Sequence, residues 1–320
     1  MTRSNTPRTN TPRTNITPTS ITPMPGASAL HHAAADDASA RPHRLAGRLV
    51  GAVRSAIALG TVAAIATLGL KALVPGHARA SAPVSVEASY RVAYGSVGVG
   101  RLDTRTRIEG DRYALDGAFS SGGVARLFSR TEGTAESEGR IASDGLRPDS
   151  FALAYASGKK RRARRIDFDG GKVSAVRFDP PEDELPEDWV PVRAEQLVRV
   201  LDPAGGLLVG GGGSACSRTL RAYDGEMRLD VRLTPARGRA FKVEGFEGRA
   251  EVCRLAFEPV AGYREGKSTA RKMRAVRGAE AAFVRVPGTE AHQLVSLSVP
   301  TRYGKVTARA TAFAIRGGAR

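Results

Sequence analysis

The chain has 320 residues, of which 41% are hydrophobic and 6% aromatic, and its formal net charge is +17. It has no Gly-X-Y repeat, no sustained heptads and no series of long apolar runs, which excludes collagens, coiled coils and polytopic membrane proteins. Glycine accounts for 36 of the 320 residues, which is more than the usual share of about 7%. This excess favours a turn-rich β protein over a helical bundle.

Residues 1–40 are predicted to be a disordered lead. They repeat a Thr-Pro-Arg-Thr-Asn unit and contain few apolar side chains. Such a segment buries too little apolar surface to offset the conformational entropy that it would lose on ordering.

Residues 41–80 have the pattern of a secretion signal. Basic residues precede an uncharged run over 55–70, and the small residues Ala78 and Ala80 precede Ser81. This arrangement is typical of a signal peptide that is cleaved after Ala80. An uncleaved membrane anchor is the alternative, although a helix over 55–70 rises only about 24 Å against a hydrocarbon core of about 30 Å. Both interpretations place the remainder in the periplasm, either free or anchored to the inner membrane.

The exported part, 81–320, is predicted to be one all-β domain. Its apolar and polar residues alternate with a period of two, and Gly-containing turns such as Asp224-Gly225 separate the segments. Strands that follow strands without helices between them indicate an antiparallel sheet, which at this length must curve strongly, as in a half-barrel. The predicted strands cover 84–94, 102–109, 113–119, 151–155, 166–168, 173–178, 227–233, 252–257, 282–286, 294–299 and 305–315.

One helix is predicted over 192–201, inside the curve of the sheet. Leu197, Val198 and Leu201 would share one of its faces, and Trp189 would cap it at the end of an acidic, proline-rich loop. The concave side of the sheet is then either a filled core, which is the general expectation, or a cavity for an apolar ligand.

A basic run lies between the predicted strands at 151–155 and 166–168. One interpretation is a solvated hairpin loop, and the other is a contact with an anionic membrane surface. The net charge of the exported part, +10 from 40 basic and 30 acidic residues, favours anionic membranes. Nucleic acid is not a predicted partner, because aromatic residues do not interleave with the cations. The run comprises Lys159, Lys160, Arg161, Arg162, Arg164 and Arg165.

The only two cysteines, Cys216 and Cys253, both follow the export signal. An even pair in an oxidising compartment predicts a disulfide, and Cys253 shares a predicted strand face with Leu255 and Phe257. Two separate buried thiols are the alternative.

The exported part offers few of the residues that metal or nucleophilic chemistry needs. Its one histidine, His292, is predicted to be a solvated loop residue, and no Gly-x-Ser-x-Gly elbow supplies a nucleophile. The glycine run 210–213 lacks the lysine of a phosphate-binding loop and is predicted to be a flexible loop. Asp167-Phe168-Asp169-Gly170 is predicted to be a hairpin turn and not a calcium loop. We therefore expect no cofactor, no metal and no catalytic residue.

Three segments of the exported part resemble a known family. The two cysteine blocks, 216–231 and 248–263, and the opening Tyr90–Gly98 are similar to the domain of unknown function 3108 family. The resemblance implies an exported protein of a Gram-negative bacterium with no established activity. It also implies a fold related to the curved-sheet lipoprotein carriers of the periplasm, which hold acyl chains in a half-barrel.

Together these patterns predict a non-enzymatic protein of the periplasm or cell envelope, whose concave apolar face binds lipid or a lipidated partner. A structural or interaction protein without a small ligand is the second hypothesis. A glycan hydrolase that uses paired carboxylates is the third.

Overall fold

The computed structural model of the protein describes residues 82–318, apart from 124, 129, 182 and 183. The predicted lead (1–40), the signal or anchor (41–80) and the cleavage site at Ala78, Ala80 and Ser81 lie outside the described residues. Within 82–318 no helix is both long enough and apolar enough to cross a bilayer.

Seventeen strands and two short α-helices make up the described part of the chain. The strands are β1 Val84–Tyr94, β2 Val97–Glu109, β3 Arg112–Ser121, β4 Thr131–Ala142, β5 Gly145–Ser157, β6 Lys160–Asp169, β7 Lys172–Asp179, β8 Trp189–Val190, β9 Leu208–Gly210, β10 Arg218–Tyr223, β11 Arg228–Pro235, β12 Arg239–Val243, β13 Phe246–Ala261, β14 Tyr263–Arg264, β15 Ala279–Arg285, β16 Ala291–Thr301 and β17 Gly304–Gly317. The helices are α1 Ala125–Phe128 and α2 Ser268–Arg274.

Fifteen of these strands form one antiparallel sheet. Its order is β10-β11-β13-β15-β16-β17-β1-β2-β3-β4-β5-β6-β7, with β12 added to β13 and β9 added to β16. The order leaves two ends, β7 and β10, so the sheet is not a closed barrel. The prediction of a mainly β protein with a large curved antiparallel sheet and one or two short helices is confirmed.

The curvature of the sheet brings distant strands into contact. The Tyr90 hydroxyl on β1 donates a hydrogen bond to the Leu294 carbonyl on β16, at 2.5 Å. The Thr106 hydroxyl on β2 donates to Gln293 Oε1, at 3.1 Å, although two strands separate β2 from β16 in the sheet. These contacts cross the concave side, where the larger of two buried apolar clusters lies.

The predicted helix over 192–201 is wrong. Only a 3-10 turn forms, at Ala194–Leu197, and Arg199 adopts the left-handed conformation with φ of 55°. Backbone hydrogen bonds of the segment are made to the β6–β7 turn and to β10 instead of along a helix. The Arg199 amide donates to the Gly171 carbonyl and the Leu201 amide to the Arg221 carbonyl, each at 2.7 Å.

Residues 198–202, which we call the closing segment, therefore occupy the gap between the two ends of the sheet. The closing segment bridges the start of β7 on one side and β10 on the other. The side chains of Leu201 and of Leu208, at the start of β9, pack into the core on the concave side. Trp189 does not cap a helix, because it lies in β8, which pairs with β14.

Candidate functional site

The lower half of the concave face is filled with side chains. A row of directly paired residues crosses seven strands there, and Val86, Thr106, Leu115, Ser137, Phe151 and Ile166 are all at most 2% exposed. The row runs Val86, Thr106, Leu115, Ser137, Phe151, Ile166, Val176 from β1 to β7. In this half the general expectation of a filled core is met.

The upper half of the same face opens progressively. An upper row of paired residues, four positions further along β1, runs Ala310, Tyr90, Leu102, Phe119, Gly133, Tyr155, Arg162 from β17 to β6. Tyr90 is 1% exposed, Leu102, Phe119 and Tyr155 are half-buried, and Arg162 is exposed. A strip of half-buried apolar side chains, which we call the trough, therefore lies over β2–β5 and is defined by Leu102, Phe119, Leu153 and Tyr155.

The floor of the trough depends on one glycine. A side chain at Gly133 would lie 2.6 Å from the tip of the Phe119 ring and 2.6 Å from Tyr155 Cβ. The absent side chain thus lets the Phe119 ring lie across β4 against Tyr155. Tyr155 is half-buried, and its hydroxyl makes no hydrogen bond to a described residue.

The basic run is not a loop, which corrects the first interpretation. Only Gly158 and Lys159 form the turn, and β6 begins at Lys160 because the run pairs with β5 from Ser157 to Ser150. The alternation of the strand then divides the cations between the two faces of the sheet. Lys160, Arg162 and Arg164 share the concave face with Ile166, whereas Arg161 and Arg165 point outward.

These cations differ in their partners. Arg164 ion-pairs with Glu226 at 2.7 Å and lies 4.7 Å from the centre of the Phe178 ring, so it ties β6 to the turn after β10. Arg165 pairs with Asp167 at 2.8 Å. The other four, Lys159, Lys160, Arg161 and Arg162, form no ion pair with a described residue. They stand at the end of the sheet where the trough opens.

His292 is buried, and its prediction as a solvated loop residue is wrong. It lies on β16, its Nε2 is 3.9 Å from Glu251 Oε2, and its Nδ1 makes no hydrogen bond to a described residue. Burial lowers the pKa of His292, Glu251 opposes that effect, and Arg285 and Arg218 add to it.

Glu251, which lies beside His292, holds the end of the glycine-rich loop by hydrogen bonds, and these residues do not form a nucleophilic triad. The Ser214 hydroxyl donates to Glu251, whose other oxygen accepts the Ala215 amide at 2.8 Å. A nucleophilic serine would have to be hydrogen-bonded to the histidine. Gly210 belongs to β9 and packs on Leu146, so the run 210–213 is only in part a loop.

Asp202 is a buried acid that sequence reasoning did not single out. One of its oxygens accepts the Ala204 and Gly205 amides and the other accepts the Ser137 hydroxyl at 2.8 Å. Burial raises the pKa of Asp202 to about 6. These bonds hold the closing segment on β4, and the acid is inaccessible to a substrate.

The two cysteines lie on the opposite side of the sheet from the trough. Their sulfur atoms are 2.06 Å apart, the distance of a disulfide, inside a second buried cluster with Leu233 and Leu255. The pair is consistent with an oxidising compartment. In the described part of the chain, no three His, Cys, Asp or Glu side chains cluster closely enough to hold a metal ion.

The chain matches the model of a family described as "Protein of unknown function (DUF3108)" over residues 89–310. It belongs to the DUF3108 family. No curated protein sequence matches the chain. A crystal structure of a beta-barrel-like protein of domain of unknown function DUF1849 from Brucella abortus is similar, with 8% identity and a TM-score of 0.43, over 74% of this chain and 99% of that one.

Proposed function

We propose that this DUF3108 protein is a non-enzymatic protein of the periplasm that holds the acyl chain of a lipid or of a lipidated partner in the trough. The observation that carries the proposal is the gradient of burial along the upper row, from Tyr90 through Phe119 to Arg162. An apolar surface that stays half-buried inside a curved sheet is available to an apolar ligand.

The two ends of the upper row suit the two parts of a lipid. Phe119, Leu153 and Tyr155 offer apolar surface to the chain, whereas Arg162 and Lys160 stand unpaired where a head group would emerge. A carboxylate or phosphate head group would be attracted there by charge-assisted hydrogen bonds. The preferred ligand is therefore an anionic lipid.

The apolar part of the proposal is tested with a fluorescent stearate analogue titrated into the purified chain. Phe119→Asp places a charge in the trough and should weaken binding at least tenfold. Ala118→Asp is the matched control, because Ala118 immediately precedes Phe119 on β3, is exposed and faces outward. Equal binding by both variants, with unchanged melting curves, would contradict the proposal.

The head-group part is tested with a second matched pair on β6. Arg162→Gln should weaken binding of the anionic analogue several-fold and leave binding of its neutral methyl ester unchanged. Arg161→Gln removes the same charge from the outer face and should have little effect on either ligand. If Arg161→Gln weakens binding as much as Arg162→Gln, the head group does not bind on the concave face.

A further inference from the structure

One end of the sheet, at which the trough opens, carries an unusual combination of exposed groups. Four of the connections at this end lie side by side over β16 to β6: residues 95–96 between β1 and β2, the described residues of 122–130 between β3 and β4, 158–159 between β5 and β6, and 302–303 between β16 and β17. We call these connections, with the strand residues next to them, the upper rim. None of the four contains an Asp or Glu, whereas they contain Arg126, Arg130, Lys159 and Arg302.

The upper rim also exposes apolar side chains. Tyr94, Val97 and Val306 are each more than one third exposed, and Tyr303 is 71% exposed at the tip of its turn. They form one patch, because Tyr94 pairs directly with Val97 on one side and with Val306 on the other. Arg302 lies over the Tyr303 ring, 4.1 Å from its centre.

The opposite rim differs in charge. Its turns contain Asp111, Asp144 and Glu290, and arginines balance two of these acids: Arg147 pairs with Asp144 at 2.5 Å and Arg285 with Glu290 at 3.5 Å. On the upper rim, Lys159, Lys160, Arg161 and Arg162 have no such partner among the described residues, although Glu132 on β4 and Asp179 at the end of β7 lie at the same end of the sheet. The connections over β16 to β6 therefore carry positive charge without an acid, whereas the connections that flank them at the same end of the sheet contain acids, among them Glu187, Asp188 and Glu226.

We infer that the upper rim docks on an anionic bilayer surface, with Tyr303, Tyr94, Val97 and Val306 entering the interfacial region. Tyrosine suits that region because its ring is apolar and its hydroxyl is polar, and the long basic side chains reach phosphate groups while their stems cover apolar surface. The β1–β2 and β5–β6 turns are separated by about 20 Å of sheet, so the contact is broad. The inference deepens the proposed function, since docking would turn the mouth of the trough toward the membrane, but it depends only on residues of the rim.

The test places a tryptophan on each rim of the full-length chain, which contains only Trp189. Tyr303→Trp reports on the upper rim and Asp111→Trp on the opposite one. With vesicles of phosphatidylglycerol and phosphatidylcholine, the emission of Tyr303→Trp should move to shorter wavelength and be quenched by brominated lipid. Asp111→Trp should show neither effect, even if the segment at 55–70 anchors the chain.

Charge and trough are separated by two further measurements. Replacing Lys159, Lys160, Arg161 and Arg162 by Gln in the Tyr303→Trp variant should raise the vesicle concentration for half of the shift at least tenfold. Tyr303→Glu should abolish docking and leave stearate binding without vesicles unchanged, whereas Phe119→Asp should do the reverse. The inference would be overturned by any of three results: no shift with anionic vesicles, an equal shift with phosphatidylcholine alone, or an equal response of Asp111→Trp. It would also be overturned if the rim captured an acidic protein and no shift occurred with vesicles, because the surface would then bind that partner.

Discussion

Asp202 carries a titratable group at the centre of the fold. The folded state holds its proton more tightly than the unfolded chain does, because burial raises the pKa from 3.8 to about 6. Between these two values the folded state binds more protons, so its stability falls as the pH rises from about 4 to about 6. The contribution is present at low pH and lost above about 6.

Asp202→Asn should remove this dependence. Asn keeps an oxygen for the Ala204 and Gly205 amides and has no charge to bury. The free energy of unfolding of the variant, relative to the wild type, should rise by about 2 kcal/mol between pH 4 and pH 7. Urea unfolding at four pH values measures the difference. Parallel pH profiles for the two proteins would show that Asp202 is not protonated in the folded state.

His292 should act in the opposite direction. Its pKa is lowered in the folded state by burial and by Arg285 and Arg218, so the unfolded chain takes up its proton first as the pH falls below 6.5. His292→Gln should therefore make the protein less sensitive to acidification below pH 6.5, measured by the same unfolding experiments in the Asp202→Asn background. An unchanged slope would indicate that His292 is accessible to solvent.

At the scale of the elements, the closing segment shows why the predicted helix was wrong. The apolar spacing of Leu197, Val198 and Leu201 fits a helix, but the edges of β7 and β10 offer unpaired backbone groups to the same residues. Hydrogen bonds to two strands and burial of Leu201 outweigh the local preference. Local sequence patterns do not show which strands, distant along the chain, a segment will pack against.

The left-handed Arg199 gives a test of this segment. Arg199→Gly should raise the free energy of unfolding by up to about 1 kcal/mol, since glycine adopts a φ of 55° without strain. Arg199→Val should lower it by about 1–2 kcal/mol, because a β-branched side chain is disfavoured there. Thermal unfolding of both variants against the wild type measures the effects, and the reverse order would show that Arg199 is not left-handed in solution.

The cysteine pair joins β13 to the loop before β10. In the chain-entropy model, a bond that closes a separation of 37 residues stabilises the fold by about 4 kcal/mol. The double variant Cys216→Ala, Cys253→Ala should lose about that amount in urea unfolding under oxidising conditions. The wild type under reducing conditions is the control and should resemble the variant. A variant as stable as the oxidised wild type would show that the bond does not form.

The alternation of apolar and polar residues predicts strands where one face carries large apolar side chains, and it misses β4, where neither face does. The predicted strands at 84–94 and 305–315 alternate bulky with polar side chains, whereas the inward residues of β4, among them Ala135, Ser137 and Gly139, are small or polar. The hairpin-loop interpretation of the basic run treats charge as a sign of a loop, whereas the run forms most of β6. Charged residues can occupy a strand when their long side chains reach solvent from either face, as they do on β6.

The candidate site could be predicted only in part. Phe119 and Tyr155 fall in predicted strands, but their partial exposure depends on which side chains pack against them across the sheet. Neither the neighbouring residues nor the periodicity of the sequence predicts those tertiary contacts. The exposure of the rim residue Tyr303 could not be predicted from the sequence, because a tyrosine in a turn can be either exposed or packed against the core. Their positions follow from the register of the strands.

At the scale of the whole described sheet, the molecule has two different ends. Side chains fill the lower half of its concave face, where Asp202 and the closing segment pack against Ser137. The upper half leaves an apolar trough that opens beside unpaired cations and exposed aromatic tips. This asymmetry is what the proposed function depends on, because a uniformly filled core would offer no place for an acyl chain.

The most direct test is native mass spectrometry of the protein purified from cell envelopes without detergent. We expect added masses that match anionic lipids in the wild type and in Ala118→Asp, and their loss in Phe119→Asp. Protein that carries no lipid in any of the three, or carries it equally in all three, would contradict the proposed lipid binding in the trough.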